Sequence, residues 1–158
     1  WQTGSINPAQ EHFVSNLVRQ KIMVAIDSQI TGESAGSRNF ILFLPEGEMH
    51  ELSLLFANYM LRKRGHRVLY LGQSVPLNDL IEIEKIRPYD YMLTTFVSSQ
   101  PVGDLYHFIR KLSELFPKKT IFITGEQANR QSDNLPNNIR LLRDPQEMVS
   151  MLDELNVG

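Results

Sequence analysis

The strongest constraint on the fold is an alternation of short apolar runs with amphipathic segments. Five runs have the length and the β-branched or aromatic content of buried strands, and they read RNFILFLP, RVLYLG, YDYMLTTFV, KTIFITG and NIRLLR. Amphipathic stretches such as PLNDLIEIEKI and PVGDLYHFIRKLSELF separate them, and DPQEMVSMLDEL follows the last. Because regular strand–helix alternation is typical of βαβ units, the sequence predicts an α/β fold with a five-stranded, doubly wound parallel sheet of the flavodoxin- or Rossmann-like kind.

A separate helical segment precedes this pattern. Asn7 suits an N-cap, Pro8 the first helical position and Gln10 the third position of a capping box, which predicts a helix to about Gln29. Its apolar residues cover about half of the circumference, so it should pack as part of a partial helix bundle. The Gly-rich stretch TGESAGS is typical of a linker. We therefore expect a helical cap segment over 1–33 and an α/β domain over 34–158.

Composition excludes several classes of function. The 158 residues carry a net charge of −2 without a long basic run, which argues against nucleic-acid binding by this segment. No cysteine is present, so disulfides, thiolate zinc sites and cysteine nucleophiles are excluded. No apolar run approaches the ~20 residues that span a bilayer, and the polar start does not resemble a signal peptide. We expect a fragment of a longer cytoplasmic protein that does not contact a membrane.

Three strand ends carry groups that suit a ligand. In open α/β sheets, ligands bind beyond the carboxyl ends of the strands. The first strand is followed by PEGEMHELS, the third ends in Thr94 to Ser99, and the fourth ends in Thr124 to Gln127. Small hydroxyl residues and a glycine there would leave room for a long ligand between the strands. The pattern alone is more typical of ordinary polar loops.

His50 is the candidate metal ligand. It follows Glu48 by two residues, so the carboxylate can accept a hydrogen bond from one imidazole nitrogen and strengthen the other as a ligand. A single loop histidine is also compatible with a plain surface role. No second cluster is spaced to complete a zinc site, so a metal bound here would arrive with its other ligands attached, as in a macrocycle. No nucleophile elbow, Walker loop or dinucleotide fingerprint is present.

The order and spacing of these residues resemble the cobalamin-binding module. That module has Asp-x-His-x-x-Gly after a strand, then Ser-x-Leu after about forty residues, then Gly-Gly after a little under thirty. The corresponding series here is Glu48-Met49-His50-Glu51-Leu52-Ser53, Thr95-Phe96-Val97 and Gly125-Glu126. Forty-one residues separate Ser53 from Thr95, and twenty-seven separate Val97 from Gly125.

The Glu-x-His form resembles the light-sensing CarH/LitR group of MerR-type transcriptional regulators. That group carries Trp-x9-Glu-His in a four-helix bundle before the cobalamin domain, and Trp1, nine residues and Glu11-His12 reproduce it. The resemblance implies a binding and switching module that is not an enzyme. It implies light-dependent control of a homo-oligomer, and DNA binding through an upstream winged helix-turn-helix domain that this chain lacks.

The resemblance also implies a role for each motif residue. His50 would coordinate cobalt, and the nucleotide tail of cobalamin would pass near Thr95, Val97 and Gly125. Trp1 would cover the upper ligand, an adenosyl group, to which Glu11 and His12 would offer hydrogen bonds. Three positions depart from the family pattern: Ser53 replaces the motif glycine, Glu126 replaces the second glycine of the pair, and Gln2 stands where some members have a second cobalt-ligating histidine. We expect Ser53 to be tolerated with weaker binding, and Gln2, a poor cobalt ligand, to disfavour a stable bis-histidine light state.

Two alternatives remain open. The sheet motif alone also fits the corrinoid module of a cobalamin-dependent methyltransferase or mutase, against which the Trp-x9-Glu-His stretch argues. A family member that lost the cofactor and kept a flavodoxin-like interaction domain is the second alternative. His66 follows RKRG at the far end of a helix, so we predict that it is exposed, and we predict a surface or packing role for His107.

Overall fold

The computed structural model describes residues 7–29, 36–98, 102–130 and 135–157. Five strands lie within these ranges, namely β1 (Asn39–Pro45), β2 (Arg67–Val75), β3 (Tyr91–Thr95), β4 (Thr120–Thr124) and β5 (Ile139–Leu142). The same ranges contain the helices α1 (Pro8–Asp27), α2 (Leu52–Lys63), α3 (Leu77–Ile86), α4 (Val102–Leu115), α5 (Glu126–Asn129) and α6 (Pro145–Val157).

The strands form one parallel sheet in the order β2-β1-β3-β4-β5. This confirms the predicted five-stranded, doubly wound α/β fold. From β1 the chain passes to β2 on one side, and it later enters β3 on the other side of β1. The strand order therefore reverses between β1 and β3. Segments that follow these two strands diverge, and a crevice forms at their carboxyl ends. The loop containing His50 follows β1, which places it at this crevice.

Two apolar layers cover the sheet. On one face, Ile41 and Phe43 of β1 pack with residues of α3 and α4, while on the other face Phe40, Leu42 and Leu44 pack with residues of α2 and α6. All five of these side chains are buried. The continuous apolar run of β1 therefore exists because consecutive residues of the strand enter opposite cores.

Strand β2 lies at an edge of the sheet and is irregular. Its pairing with β1 is regular from Arg67 to Tyr70, and the register then shifts at two points before Val75. Ser74 has φ of 52°, a left-handed conformation that is uncommon outside glycine. Its hydroxyl accepts a hydrogen bond from the backbone N–H of Gly47 at 3.1 Å. The irregular end of β2 thus contacts the loop that contains His50.

Helix α1 begins with the predicted capping box. The side chain of Asn7 accepts from the Gln10 backbone N–H, and the side chain of Gln10 accepts from the Asn7 backbone N–H. The helix contacts α2, yet no residue along its described length is buried. Phe13 and Val24 are 65% and 68% exposed, so much of the broad apolar face identified in the sequence is uncovered.

The structure corrects the prediction for His66. This residue was predicted to be exposed, but it is buried, and its ring packs against Phe40 with centroids 5.4 Å apart. Burial lowers the pKa of His66, and the nearby cations Arg64 and Arg38 lower it further.

The short helix α5 was also not predicted. Among the described residues, no helix is long and apolar enough to cross a membrane.

Candidate functional site

The candidate site is built around the loop between β1 and α2, residues 46–51. Neighbouring strand ends fix this loop: the backbone N–H of Ser74 donates to the carbonyl of Glu48 at 3.2 Å, and the Gln73 side chain donates to the carbonyl of Met49 at 2.6 Å. The loop therefore has a defined conformation at the reversal point of the sheet.

Glu48 is the buried centre of the site, with a side chain that is 2% exposed. Its Oε2 accepts hydrogen bonds from the backbone N–H groups of Val97 at 3.0 Å and Ser98 at 2.7 Å. Its Oε1 accepts from the backbone N–H groups of Met49 and His50, both at 3.0 Å, and from the Ser98 hydroxyl at 2.8 Å. One carboxylate thus joins the loop after β1 to the loop after β3.

These hydrogen bonds stabilise the ionised form of Glu48. Burial by itself would raise its pKa, because it disfavours the charged carboxylate. Bonds from the backbone N–H groups of Ser98 and His50, and then from both of their side chains, outweigh this effect and lower the pKa to about 2. Glu48 is therefore an anion, and it can only accept hydrogen bonds.

His50 presents an oriented imidazole. Its Nδ1 lies 2.8 Å from Glu48 Oε1 and 3.1 Å from the Ser98 hydroxyl oxygen. Because the carboxylate cannot donate, Nδ1 carries the proton, and in the neutral ring Nε2 keeps its lone pair for another partner. The side chain is 62% exposed, so a large molecule can reach it. The predicted Glu48–His50 hydrogen bond is thereby confirmed.

In the part of the chain that the structure describes, no cluster of metal-ligating side chains surrounds this imidazole. Among the described residues, no group of three or more His, Cys, Asp or Glu side chains could hold a metal ion. A metal bound at His50 would therefore need most of its ligands from elsewhere. That the metal would arrive inside a larger molecule stays a prediction.

The structure places Ser53, Thr95 and Val97 around the same strand end. The Ser53 hydroxyl, in the first turn of α2, donates to Thr95 Oγ1 at 3.3 Å. Thr95 is fully buried on the sheet, whereas Val97 is partly exposed beside Ser98. Two of the three motif segments, Glu48–Ser53 and Thr95–Val97, are thus in direct contact.

Gly125 brings the third motif segment to the same edge. It has φ of 105°, and a Cβ atom built on it would lie 2.4 Å from the carbonyl oxygen of Phe96. Only glycine allows the end of β4 to approach the end of β3 this closely. Glu126 has an exposed side chain, and its carboxylate accepts a hydrogen bond from Arg130 at 2.6 Å.

Helix α1 holds the remaining candidates apart from this cluster. Glu11 and His12 are exposed near its first turns. Within the described residues, their side chains make no hydrogen bond or ion pair with the His50 loop. Trp1 and Gln2 lie outside the described residues.

Sequence reasoning missed several residues that support the site. Ser98 was noted only as one of several hydroxyl residues after β3, yet it contacts both Glu48 and His50. Ser74 and Gln73 were not noted at all. Their contacts join segments far apart in sequence, and no motif spacing indicated them.

Two curated proteins are similar in sequence to this chain. It is 33% identical over 131 residues to the HTH-type transcriptional repressor CarH of Myxococcus xanthus, and the match covers 82% of the chain. It is 35% identical over 71 residues, or 45% of the chain, to the HTH-type transcriptional repressor CarA of the same organism. The chain is a CarH-like domain. This confirms the resemblance inferred from the motifs.

The CarH-like domain spans 42% of the length of CarH and 24% of that of CarA. No protein-family model matches it. The Methanosarcina barkeri monomethylamine corrinoid protein shares its fold, with a TM-score of 0.74 and 15% identity over all of this chain and 75% of the other.

Two further solved structures share the fold of the CarH-like domain. The methanol:cobalamin methyltransferase complex MtaBC of Methanosarcina barkeri has a TM-score of 0.62 and 14% identity, over 98% of this chain and 60% of that one. A cobalamin-binding protein of Desulfitobacterium hafniense DCB-2 has a TM-score of 0.55 and 16% identity, over 75% and 59%. At these identities the likeness concerns the fold.

Proposed function

We propose that this chain binds cobalamin at the carboxyl edge of its sheet, as the sensory domain of a transcriptional regulator, with His50 Nε2 as the lower axial ligand of cobalt. The observation that carries the proposal is the accessible imidazole of His50, whose Nδ1 bonds to the buried, ionised Glu48. Similarity to the CarH and CarA repressors supports the regulatory part.

The donor set fits cobalamin. A corrin supplies four nitrogen ligands to its cobalt, and adenosylcobalamin adds an upper carbon ligand. The accessible imidazole of His50 would fill the one remaining position in place of the cofactor's own dimethylbenzimidazole. Glu48 fixes the ring orientation and the tautomer by accepting a hydrogen bond from Nδ1–H, which leaves Nε2 with its lone pair. Ser98 fixes Glu48 in turn through its backbone N–H and its hydroxyl. The proposed ligand His50, the carboxylate of Glu48 that orients it, and Ser98 that holds this carboxylate are thus joined by hydrogen bonds.

The three strand-end segments suit the nucleotide tail of the cofactor. Ser53 presents an exposed hydroxyl that bonds to the buried Thr95, and Gly125 keeps the ends of β3 and β4 close together. We infer that Thr95, Val97 and Gly125 contact this tail. The two departures from the family pattern are compatible with binding, because Ser53 bonds to Thr95 and the charge of Glu126 is paired with Arg130.

The exposed apolar face of α1 supports the proposed cap. Phe13, Val14 and Leu17 are among its exposed apolar residues, and burying such a face against further helices is favourable. We propose that residues 1–33 belong to a four-helix bundle whose Trp1, Glu11 and His12 contact the upper ligand, an adenosyl group. When bound, adenosylcobalamin supplies a cobalt–carbon bond that light can break.

The whole regulator would act on DNA. CarH and CarA are named HTH-type repressors, and this chain spans less than half of either. We propose that an upstream helix-turn-helix domain binds DNA in the cytoplasm, that the chain described here is not an enzyme, and that cofactor state controls a homo-oligomer through a shift in conformational population.

The test is binding of adenosylcobalamin by the purified chain in the dark. We expect a coloured complex that survives desalting, and illumination should change both its absorption spectrum and its mass in solution. His50→Ala should abolish the histidine-ligated spectrum, while His107→Ala, at an exposed helix position, should leave it unchanged. Equal spectra for His50→Ala and the unmodified chain would reject His50 as the ligand, and no response to light would reject the photoreceptor part.

A corrinoid module of a methyltransferase or mutase is the second candidate. The fold likeness to the monomethylamine corrinoid protein over the whole chain favours it. The two candidates differ in the preferred upper group. Tighter binding of methylcobalamin than of adenosylcobalamin, with no change of mass on illumination, would favour the methyl carrier.

A further inference from the structure

Glu51 directly follows His50 and bonds to a different part of the molecule. Its Oε1 accepts from Nε of Arg19 on α1 at 2.5 Å, and its Oε2 accepts from the hydroxyl of Tyr70 on β2 at 2.8 Å. The side chain of Glu51 is only 8% exposed, whereas that of Arg19 is 42% exposed. A single buried carboxylate therefore joins the cap helix to the edge strand of the sheet.

The carboxylate of Glu51 bonds to Arg19 and Tyr70 and not to its own helix. Glu51 occupies the N-cap position of α2, where side chains often bond to their own helix, but it makes no such bond. Burial raises the pKa of Tyr70, and the bond to Glu51 raises it further, so this hydroxyl remains a donor at physiological pH. Both oxygens of Glu51 are thus used for contacts outside α2.

Helix α1 packs on α2 through side chains that are at most half-buried. None of its described residues is buried. Beyond the Arg19 contact, a cleft of about 390 Å³ separates the last turns of α1 from α2, and Met23, Asp27, Leu55 and Arg62 are among its lining residues. The Arg19–Glu51 ion pair adds a charged contact to this half-buried packing.

We propose that Arg19, Glu51 and Tyr70 form a clamp that couples the position of α1 to the loop carrying His50. Glu48 bonds this loop to the residues after β3, and Glu51 bonds it to α1 and β2. In sequence, His50 therefore lies between two carboxylates that contact different sides of the molecule. A shift of the loop at His50 moves Glu51, its neighbour in sequence, and hence Arg19. The part of the inference that concerns cofactor binding rests on the proposed function, whereas the restraint of α1 does not.

The absence of cysteine makes a distance measurement direct. Asn16→Cys on α1 and Lys111→Cys on α4, both at exposed positions, provide two sites for spin labels. In the cofactor-free chain, Arg19→Gln and Glu51→Gln should each broaden the distance distribution between the labels. Arg19→Lys keeps the charge and should restore most of the narrow distribution.

The matched control is Arg64→Gln, which breaks the ion pair between Arg64, at the C-cap of α2, and Asp153 on α6 without touching α1. Its distance distribution should equal that of the unmodified chain. Distributions for Arg19→Gln and Glu51→Gln that also equal the unmodified one would overturn the clamp.

A second measurement tests the coupling to the cofactor. The affinity for hydroxocobalamin, which has no bond to an organic upper group, should fall about tenfold in Arg19→Gln if the loss of the clamp leaves the His50 loop in its binding orientation about a tenth of the time. The same affinity in Arg19→Gln and in the unmodified chain would overturn the coupling while leaving the restraint of α1 standing. A chain that binds no cobalamin in any form would reject the proposed function, and the label distances would still decide the clamp.

Discussion

Glu48 and Ser98 contact each other through two hydrogen bonds across fifty residues of sequence. The backbone N–H of Ser98 donates to one carboxylate oxygen, and its hydroxyl donates to the other. This pairing connects the ends of β1 and β3 at the point where the strand order reverses. It also fixes the acceptor that orients His50, so the stability of the loop and the orientation of the candidate ligand depend on one carboxylate.

Replacing this carboxylate should destabilise the cofactor-free chain. Glu48→Gln turns one acceptor oxygen into an NH2 group that faces the N–H donors of Val97 and Ser98, and we expect a loss of about 3 kcal/mol in the free energy of unfolding. Glu126→Gln is the matched control, because its exposed carboxylate bonds only to Arg130 within the described residues, and it should change stability by less than about 0.5 kcal/mol. Urea unfolding at pH 7 measures both, and equal losses would contradict the role of Glu48.

The low pKa of Glu48 predicts a specific acid dependence. The folded pKa of about 2 lies below the ordinary value of 4.5, so the stabilisation is complete above pH 4.5 and is lost as the pH falls toward 2. Its full size corresponds to about 3 kcal/mol. The difference in unfolding free energy between the unmodified chain and Glu48→Gln should therefore shrink between pH 5 and pH 2. A difference that stays constant over this range would show that ionisation of Glu48 does not contribute.

Gly125 should be far less replaceable than a glycine of similar backbone conformation. Gly36 has φ of 102° and open space around its Cα, whereas a Cβ on Gly125 would collide with the Phe96 backbone. Gly36→Ala should cost about 1–3 kcal/mol through backbone strain alone, and Gly125→Ala should cost at least about 2 kcal/mol more through the added collision. Thermal unfolding of the two variants provides the comparison. Similar midpoints would mean that the ends of β3 and β4 separate easily.

His66 should make the chain sensitive to mild acid. Its folded pKa lies below the ordinary value of 6.5, so the neutral ring is favoured in the folded state. The associated stability is complete above pH 6.5 and falls as the pH drops through the interval between the two pKa values. His66→Gln should remove this part of the pH dependence, whereas His107→Gln, at an exposed position, should retain it. Unfolding curves at pH 7.5, 6.5 and 5.5 test this, and an unchanged slope in His66→Gln would contradict it.

Local pattern was sufficient for the sheet and for the centre of the site. The unbroken apolar run of β1 indicated burial on both faces, and the two-residue spacing of Glu48 and His50 allowed a hydrogen bond between their side chains. Both follow from the geometry of a short chain segment, and the structure confirms both.

Long-range partners were beyond such reasoning. Ser98 bonds to Glu48 and Arg19 bonds to Glu51 only because the fold brings distant segments together. His66 was predicted to be exposed because it follows a charged helix end, but the turn after α2 directs its ring onto Phe40 of the neighbouring strand. The roles of Trp1, Glu11 and His12 stay predictions.

The irregular edge strand β2 has a consequence for how copies of the protein meet. An uncovered edge is a template on which another chain can extend the sheet and begin a fibril. In β2 the regular stretch ends at Tyr70, and the two shifts of register and the left-handed Ser74 twist the remainder out of line. The same irregular strand end that contacts the His50 loop therefore leaves only the stretch from Arg67 to Tyr70 regular enough to pair with a strand of another copy.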